Sequence, residues 1–306
     1  MNFLMKKNPV LAKELKLVCW TIHFPIALMV YGGALSFLAM MILHSEVDYY
    51  NYRNYTIDYS SLLMIFVVLA IVQLFIGSIV TGILSGSSIS SEREKQTLDL
   101  MLTAPVSPLN IILGKLGSAM LQMMLFTFCS LPAMSLGFLY GGMRWKSLLI
   151  FIAYMFAITF FAGSIGIFCS VRFKKTITSI VVTLLIGVIF YAGTCLPMLL
   201  GLLFSYNLNT QAVQLRQMIL SCFLFFNPAA GFSISIISNY TSVDMVSIVT
   251  DVSSAVGKNN VLYFLFDHFT IVVFIMTILL GIGFIYLAVR EQDKVRLKDK
   301  KLTKIK

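Results

Sequence analysis

Charge is scarce in this chain, acidic charge scarcer still, and the cysteines are never grouped. Only 12% of its 306 residues are charged, against 58% that are hydrophobic, which leaves too little polar surface to cover a soluble domain. Cys19, Cys129, Cys169, Cys195 and Cys222 stand singly in or beside apolar runs. With no CxxC pair and no Cys/His cluster, neither a disulfide framework nor a metal site is supported. The HExxH and GxSxG motifs and paired intramembrane aspartates are also missing, so protease and hydrolase chemistry lacks its residues. Gly114-Lys115 has the ending of a phosphate-binding loop. Leu109, however, stands where the first glycine belongs, and Leu116 replaces the Ser or Thr, which argues against nucleotide binding by this chain.

Ionisable side chains are nearly absent from the long apolar runs, where Gln73 and Gln122 are the most polar groups well inside. Ion-coupled carriers hold their coupling ion with embedded acids, bases or broken helices. Their absence disfavours that class. If a solute is moved uphill, the energy has to enter through a polar surface outside the spans.

What the chain has instead is length of hydrophobic sequence, at a mean hydropathy of +0.90. Several runs reach the roughly 20 apolar residues that cross a bilayer. Six spans are expected, at about 24–44, 60–84, 111–139, 147–170, 177–204 and 267–289, forming one all-α membrane domain over 1–306. The first run has no small-residue cleavage site at its end and is read as retained. Residues 1–20 read as an amphipathic helix on the membrane surface, with Val10, Leu11, Leu15 and Val18 on one face, Lys13 and Lys16 on the other and Pro9 near the start; a basic tail is the alternative. The acidic, tyrosine-rich stretch 46–59 reads as an outer loop, and Pro197 as a kink late in span five. The stretch 205–266 is too apolar for a loop, yet Arg216, Asn227, Pro228, Asp244, Asp251 and Lys258 interrupt it. Two short re-entrant helices, at 215–226 and 231–237, are expected there, with a seventh span as the alternative. A basic tail, 290–306, ends the chain.

With both termini inside, eighteen of the 23 lysines and arginines fall in inner segments. That asymmetry sets the orientation with both termini cytoplasmic. It also accounts for the net charge of +10 without a nucleic-acid partner; the surface the chain requires is the lipid bilayer.

One polar segment, 89–110, interrupts the apolar runs. Ser90 or Ser91 with Glu94 has the form of a capping box, and Leu98, Met101 and Leu102 make an apolar face rimmed by Glu92, Arg93, Glu94 and Asp99, with Pro105 and Pro108 ending the helix. A short amphipathic helix of this kind fills a groove on a partner, or lies under the headgroups. On span two, Gly82 and Gly86 have GxxxG spacing, which favours helix packing.

Glu92-Arg93-Glu94-Lys95-Gln96-Thr97-Leu98-Asp99, then Leu102-Thr103-Ala104-Pro105-Val106-Ser107 and Gly114-Lys115, resembles the signature of type-2 ABC exporter permeases. Asn8-Pro9-Val10-Leu11-Ala12-Lys13-Glu14-Leu15 resembles that family's amphipathic elbow helix, and the outer segment before span six its re-entrant helices. Gln96 departs from the pattern, since the family carries glycine there; the departure bears on the backbone turn and on where the coupling helix starts.

The resemblance implies a coupling helix between spans two and three, contacting an ATP-binding-cassette ATPase subunit through Glu92, Arg93, Glu94, Thr97, Leu98, Met101 and Leu102. ATP and Mg would be held by that subunit, with no cofactor in this chain. It further implies a second permease copy or a sister permease, and a substrate path bordered by Gln73, Phe75, Gly82 and Gly86 on span two and by Gly187, Tyr191 and Thr194 on span five. Helix packing is the competing role for each of these path residues. The setting implied is a cell membrane, of bacterial type, and the activity is export of a hydrophobic or amphipathic solute. A membrane scaffold or sensor that binds the ATPase without transporting remains a second function class.

Overall fold

The computed structural model describes residues 9–53, 59–96, 108–141, 145–203, 220, 222–240, 265 and 268–303, and the elements among them are all helical. In chain order they are α1 (Pro9–Trp20), α2 (His23–Arg53), α3 (Tyr59–Ser87), α4 (Ser90–Glu94), α5 (Pro108–Gly141), α6 (Trp145–Arg172) and α7 (Thr176–Val188). A π-helical turn (Ile189–Gly193) continues α7. Then come α8 (Leu196–Leu203), a 3-10 turn (Cys222–Phe226), α9 (Pro228–Tyr240) and α10 (Phe269–Thr303). Among the described residues, six helices are long and apolar enough to cross a membrane, as the hydrophobic runs require.

The bundle is built around α6, which packs against α3, α5, α7 and α10. Lipid is as apolar as leucine, so helices in a bilayer associate through close backbone approach and not through burial of oil. The sequence provides small residues where this happens. A Cβ on Gly166 of α6 would lie 2.8 Å from the Gly86 nitrogen and 2.9 Å from the Gly82 oxygen of α3. The GxxxG pair of α3 therefore seats α6, and its other side touches Thr183 of α7. Further along the bundle, Phe66, Phe151 and Phe232 are completely buried, with Phe151 6.0 Å from each of the other two rings. Tyr154 joins them and donates its hydroxyl proton to the Thr270 carbonyl at 2.6 Å, which ties α6 to the start of α10. Apolar side chains on the outer faces of α2 and α7, such as Met29, Phe37, Ile177 and Leu185, are exposed and face the lipid or a neighbouring chain.

Several local expectations are corrected. The helix of span one runs through most of the tyrosine-rich stretch to Arg53, because nothing in 46–53 breaks a helix. Pro108 opens α5, where at the first helical position its missing N–H costs no hydrogen bond, and the end of the helix expected before it lies outside the described residues. Span five is interrupted by the π turn before Pro197, and Pro197 itself is the second residue of a new helix. The outer helix is longer than 231–237, running Pro228–Tyr240 behind a 3-10 turn. The basic tail is helical as far as Thr303, as a continuation of α10. Residues 1–8, 97–107, 204–219 and 241–264 lie outside the described set, and with them Thr97, Leu98, Met101 and Leu102 and the re-entrant expectation over most of its length.

Gly166→Ala should force α6 off α3, since besides the Ser85 hydroxyl the atoms it meets are the Gly86 nitrogen and Gly82 oxygen, which are backbone. A loss of about 1–3 kcal/mol of stability is expected, read as a lowered melting temperature of the purified chain in detergent. Gly33→Ala, which meets nothing within 4 Å, should leave it unchanged.

Candidate functional site

Two features stand out where α3, α4, α6 and α7 converge. One is a polar clamp at the foot of the bundle, and the other is an apolar groove running up from it.

The clamp forms because α3 and α4 meet at a break in the helical hydrogen-bond ladder. The N-cap of α4 is Ile89, which has no side-chain cap. The capping box expected from Ser90 or Ser91 and Glu94 is therefore not formed. The orphan donors are satisfied from another helix: Ser170 Oγ, in the last turn of α6, accepts from Ile89 N at 2.8 Å and from Ser90 N at 2.9 Å. The Ser90 hydroxyl turns back to the Gly86 carbonyl at 3.0 Å, and Ser179 of α7 donates to the same carbonyl at 2.7 Å.

Arg93 and Glu94 then grip the turn between α6 and α7. Arg93 donates to the carbonyls of Val171 (3.2 Å) and Phe173 (3.4 Å), where a positive group suits a helix C-terminus. The Glu94 carboxylate accepts from Thr176 N (3.0 Å) and Thr176 Oγ (2.6 Å), capping an α7 N-terminus that Lys175 leaves uncapped. Behind them Gln96 adopts φ 57°, the left-handed conformation that favours glycine. The glycine-type turn is thus kept at this position with a glutamine in place.

Glu92 points to the other side. Lys115 of α5, whose side chain is only 3% exposed, donates to Glu92 Oε1 (2.9 Å), Glu14 Oε1 of α1 (3.4 Å) and the Ser88 carbonyl (2.8 Å). A buried ammonium is tolerated only when its donors are met, and here all three are. The clamp thereby joins α1, α3, α4, α5, α6 and α7 at one point.

The groove has a volume of about 350 Å³ and lies between α3 and α7 with α6 as its floor. Phe75, Gly82, Gly187 and Tyr191 line it, together with Phe161 and Thr183, which sequence reasoning did not single out. The Phe75 and Tyr191 rings are 6.1 Å apart at its end away from the clamp. The remaining residues placed on the path by resemblance are elsewhere. Gln73 is fully buried with neither amide atom hydrogen-bonded among the described residues, Gly86 belongs to the clamp, and the Thr194 hydroxyl is taken up by the Phe190 carbonyl at 2.6 Å.

Residues 23–190, more than half the chain, match the family model described as ABC-2 family transporter protein. The chain belongs to this family. Comparison with curated proteins gives no match. It is a multi-pass membrane permease of an ABC transporter, and the matched range contains the groove through Phe190 and all of the clamp except Glu14.

At the end of the permease's groove away from the clamp sits a residue that the sequence had suggested only as an interruption. Asn227, 1% exposed, accepts from Ala229 N (2.9 Å) and Ala230 N (3.2 Å) through Oδ1, capping α9. Its Nδ2 donates to the Tyr191 carbonyl (2.9 Å) and to Cys195 Sγ (3.1 Å). One side chain thus bonds a carbonyl of the π turn and fixes α9 to it. The pair Asn227-Pro228 is a normal helix start and would have located the cap; its partner in span five carries no sequence signal.

Lys115→Met should leave Glu14 and Glu92 facing each other across a largely closed site. A destabilisation of up to about 3–5 kcal/mol is expected for breaking a buried pair, reduced by the partial exposure of the two carboxylates. Thermal unfolding would show it, and adding Glu92→Gln should recover part of the loss.

Proposed function

We propose that this permease exports a hydrophobic or amphipathic solute, of the lipid, drug or peptide class, using energy from a separate ATP-binding subunit that bears on segment 89–110. ATP and Mg reside on that subunit. Both termini are cytoplasmic, the membrane is a cell membrane of bacterial type, and two permeases, identical or sister chains, form the complete pathway. The charge asymmetry of the segments supports the orientation. The exposed apolar faces of α3 (Phe75, Ile79) and α7 (Val181, Leu185) beside the groove support a second permease.

The observation that carries the reading is the continuity between clamp and groove. α4 is fastened to the C-terminus of α6 and to the N-terminus of α7, and the same α7 presents Thr183 and Gly187 to the groove. Force applied at α4 is delivered to the helix that forms one groove wall through the hydrogen bonds of Ser170, Arg93 and Glu94. Glu92, Arg93 and Glu94 serve this attachment, so the surface offered to the ATPase centres on Thr97, Leu98, Met101 and Leu102. The groove lining is apolar, with little to recognise a charged solute, and suits one that partitions into lipid.

The tagged chain, extracted from its native membrane in mild detergent, should bring down an ATP-binding subunit in near-equimolar amount. Leu98→Asp with Met101→Asp should reduce the yield of that subunit roughly tenfold, about 1.4 kcal/mol, without lowering the amount of inserted permease. An inserted wild-type chain with no ATPase attached, or full retention by the double variant, would contradict the proposal.

A further inference from the structure

We propose that the exposed face of α1 is a binding surface for anionic phospholipid headgroups, which it selects from a mixed bilayer through Lys13 and Lys16. The charges of this helix are sorted by side. Glu14, the one acidic residue in α1, reaches inward to Lys115 of α5 at 3.4 Å. Leu11, one turn before it, packs on α5 at Gly117, where an added Cβ would lie 3.3 Å from the leucine. Lys13, Lys16, Leu17 and Trp20 are exposed.

The sorting leaves two positive charges and no negative one on the exposed face. Among the described residues, no carboxylate pairs with either lysine. Side chains at i and i+3 are neighbours on a helix, with about 4.5 Å of rise between them. Both ammonium groups can therefore reach one phosphate diester or two adjacent ones, and each donates charge-assisted hydrogen bonds to phosphate oxygens. The helix is also held against rolling, because Leu11 and Glu14 fix its inward side on α5. The surface is thus preorganised, and binding costs little ordering of the backbone.

The apolar neighbours select a lipid over a soluble anion. Leu17 is 56% exposed and Trp20 81%, with the Lys16 ammonium 5.0 Å from the indole ring, an arrangement suited to the headgroup layer. Ile22, Ile26 and Met29 carry the exposed apolar surface on into α2, the first span. Lys16 and Lys13, one and two turns before Trp20, therefore stand where the chain passes from headgroups into hydrocarbon. Cations at that level are drawn to an anionic leaflet, whereas a zwitterionic headgroup brings its own ammonium to the same place. The surface is independent of the ATPase contact and stands if that reading fails.

The chain has two tryptophans, so Trp145→Phe leaves Trp20 as the sole indole. This full-length variant is reconstituted in nanodiscs of equal phosphatidylglycerol and phosphatidylcholine, with brominated acyl chains on the first lipid in one preparation and on the second in the other. Quenching of Trp20 should show phosphatidylglycerol enriched around it roughly tenfold over the bulk ratio at low salt, and the enrichment should fade at about 1 M salt, where the Debye length is about 3 Å. Lys13→Gln alone, which keeps the contact of Lys16 with Trp20, should lower the enrichment to roughly threefold. Lys13→Gln with Lys16→Gln should abolish it at an unchanged melting temperature. Arg172→Gln with Lys294→Gln, both exposed, removes the same net charge elsewhere and should leave the enrichment intact. Equal quenching by the two lipids, an enrichment that survives loss of both α1 lysines, or an equal loss in the Arg172 and Lys294 pair would overturn the proposal.

Discussion

Everything at the foot of this bundle depends on one constraint: polar groups withdrawn from water must find partners inside the protein. α3 and α4 are separated by a break, and the break exposes backbone N–H groups that neither helix can use. Ser170 takes two of them, and Lys115 takes the Ser88 carbonyl from the other side. Because these partners sit on α6 and α5, satisfying the break also fixes where those helices end. The ion cluster then extends the same solution to α1 through Glu14. An attachment built from complementary polar groups at the edge of an apolar bundle is directional, and it resists sliding more than apolar packing does.

Above the clamp the logic changes from hydrogen bonding to space. Glycine on α3 and α6 allows the backbones to touch, and this contact sets the floor of the groove. Where Gly187 on α7 meets nothing within 4 Å, the wall opens instead. At the end away from the clamp Asn227 applies the rule of the clamp a second time, joining a carbonyl of the π turn to the start of α9. The groove is thus held at both ends by side chains that satisfy broken helical ladders, with apolar packing between.

The architecture was largely legible from sequence, because a bilayer imposes a length and a composition on any helix that crosses it. The six spans follow from that alone. The polar segment 89–110 was equally visible, and the family match over residues 23–190 agrees with the resemblance read there. What each charge does was not legible. Glu92, Arg93 and Glu94 looked like a rim for a partner, yet their nearest partners are Lys115, the end of α6 and Thr176, all distant in sequence and without a local signature. The capping box failed for the same reason: Ser170 takes the Ile89 and Ser90 N–H groups, the helix starts at Ile89, its N-cap, and the Ser90 hydroxyl turns back to the Gly86 carbonyl. Gln73 and Thr194 were placed on the path by helix and span only, and the direction each side chain takes depends on packing that no single span encodes.

The most direct test of the clamp as a rigid transmission point is a reversible lock across it. The Ser90 and Ser170 hydroxyl oxygens are 3.4 Å apart, so cysteines at both positions, in a chain otherwise free of cysteine, can be joined and released by oxidation and reduction. ATP hydrolysis by the assembled transporter should be the same in the joined and reduced states, because α4 and α6 move as one body. Hydrolysis that stops on oxidation and returns on reduction would mean that α4 slides over α6 during the cycle, and would contradict the clamp as the route from ATPase to groove.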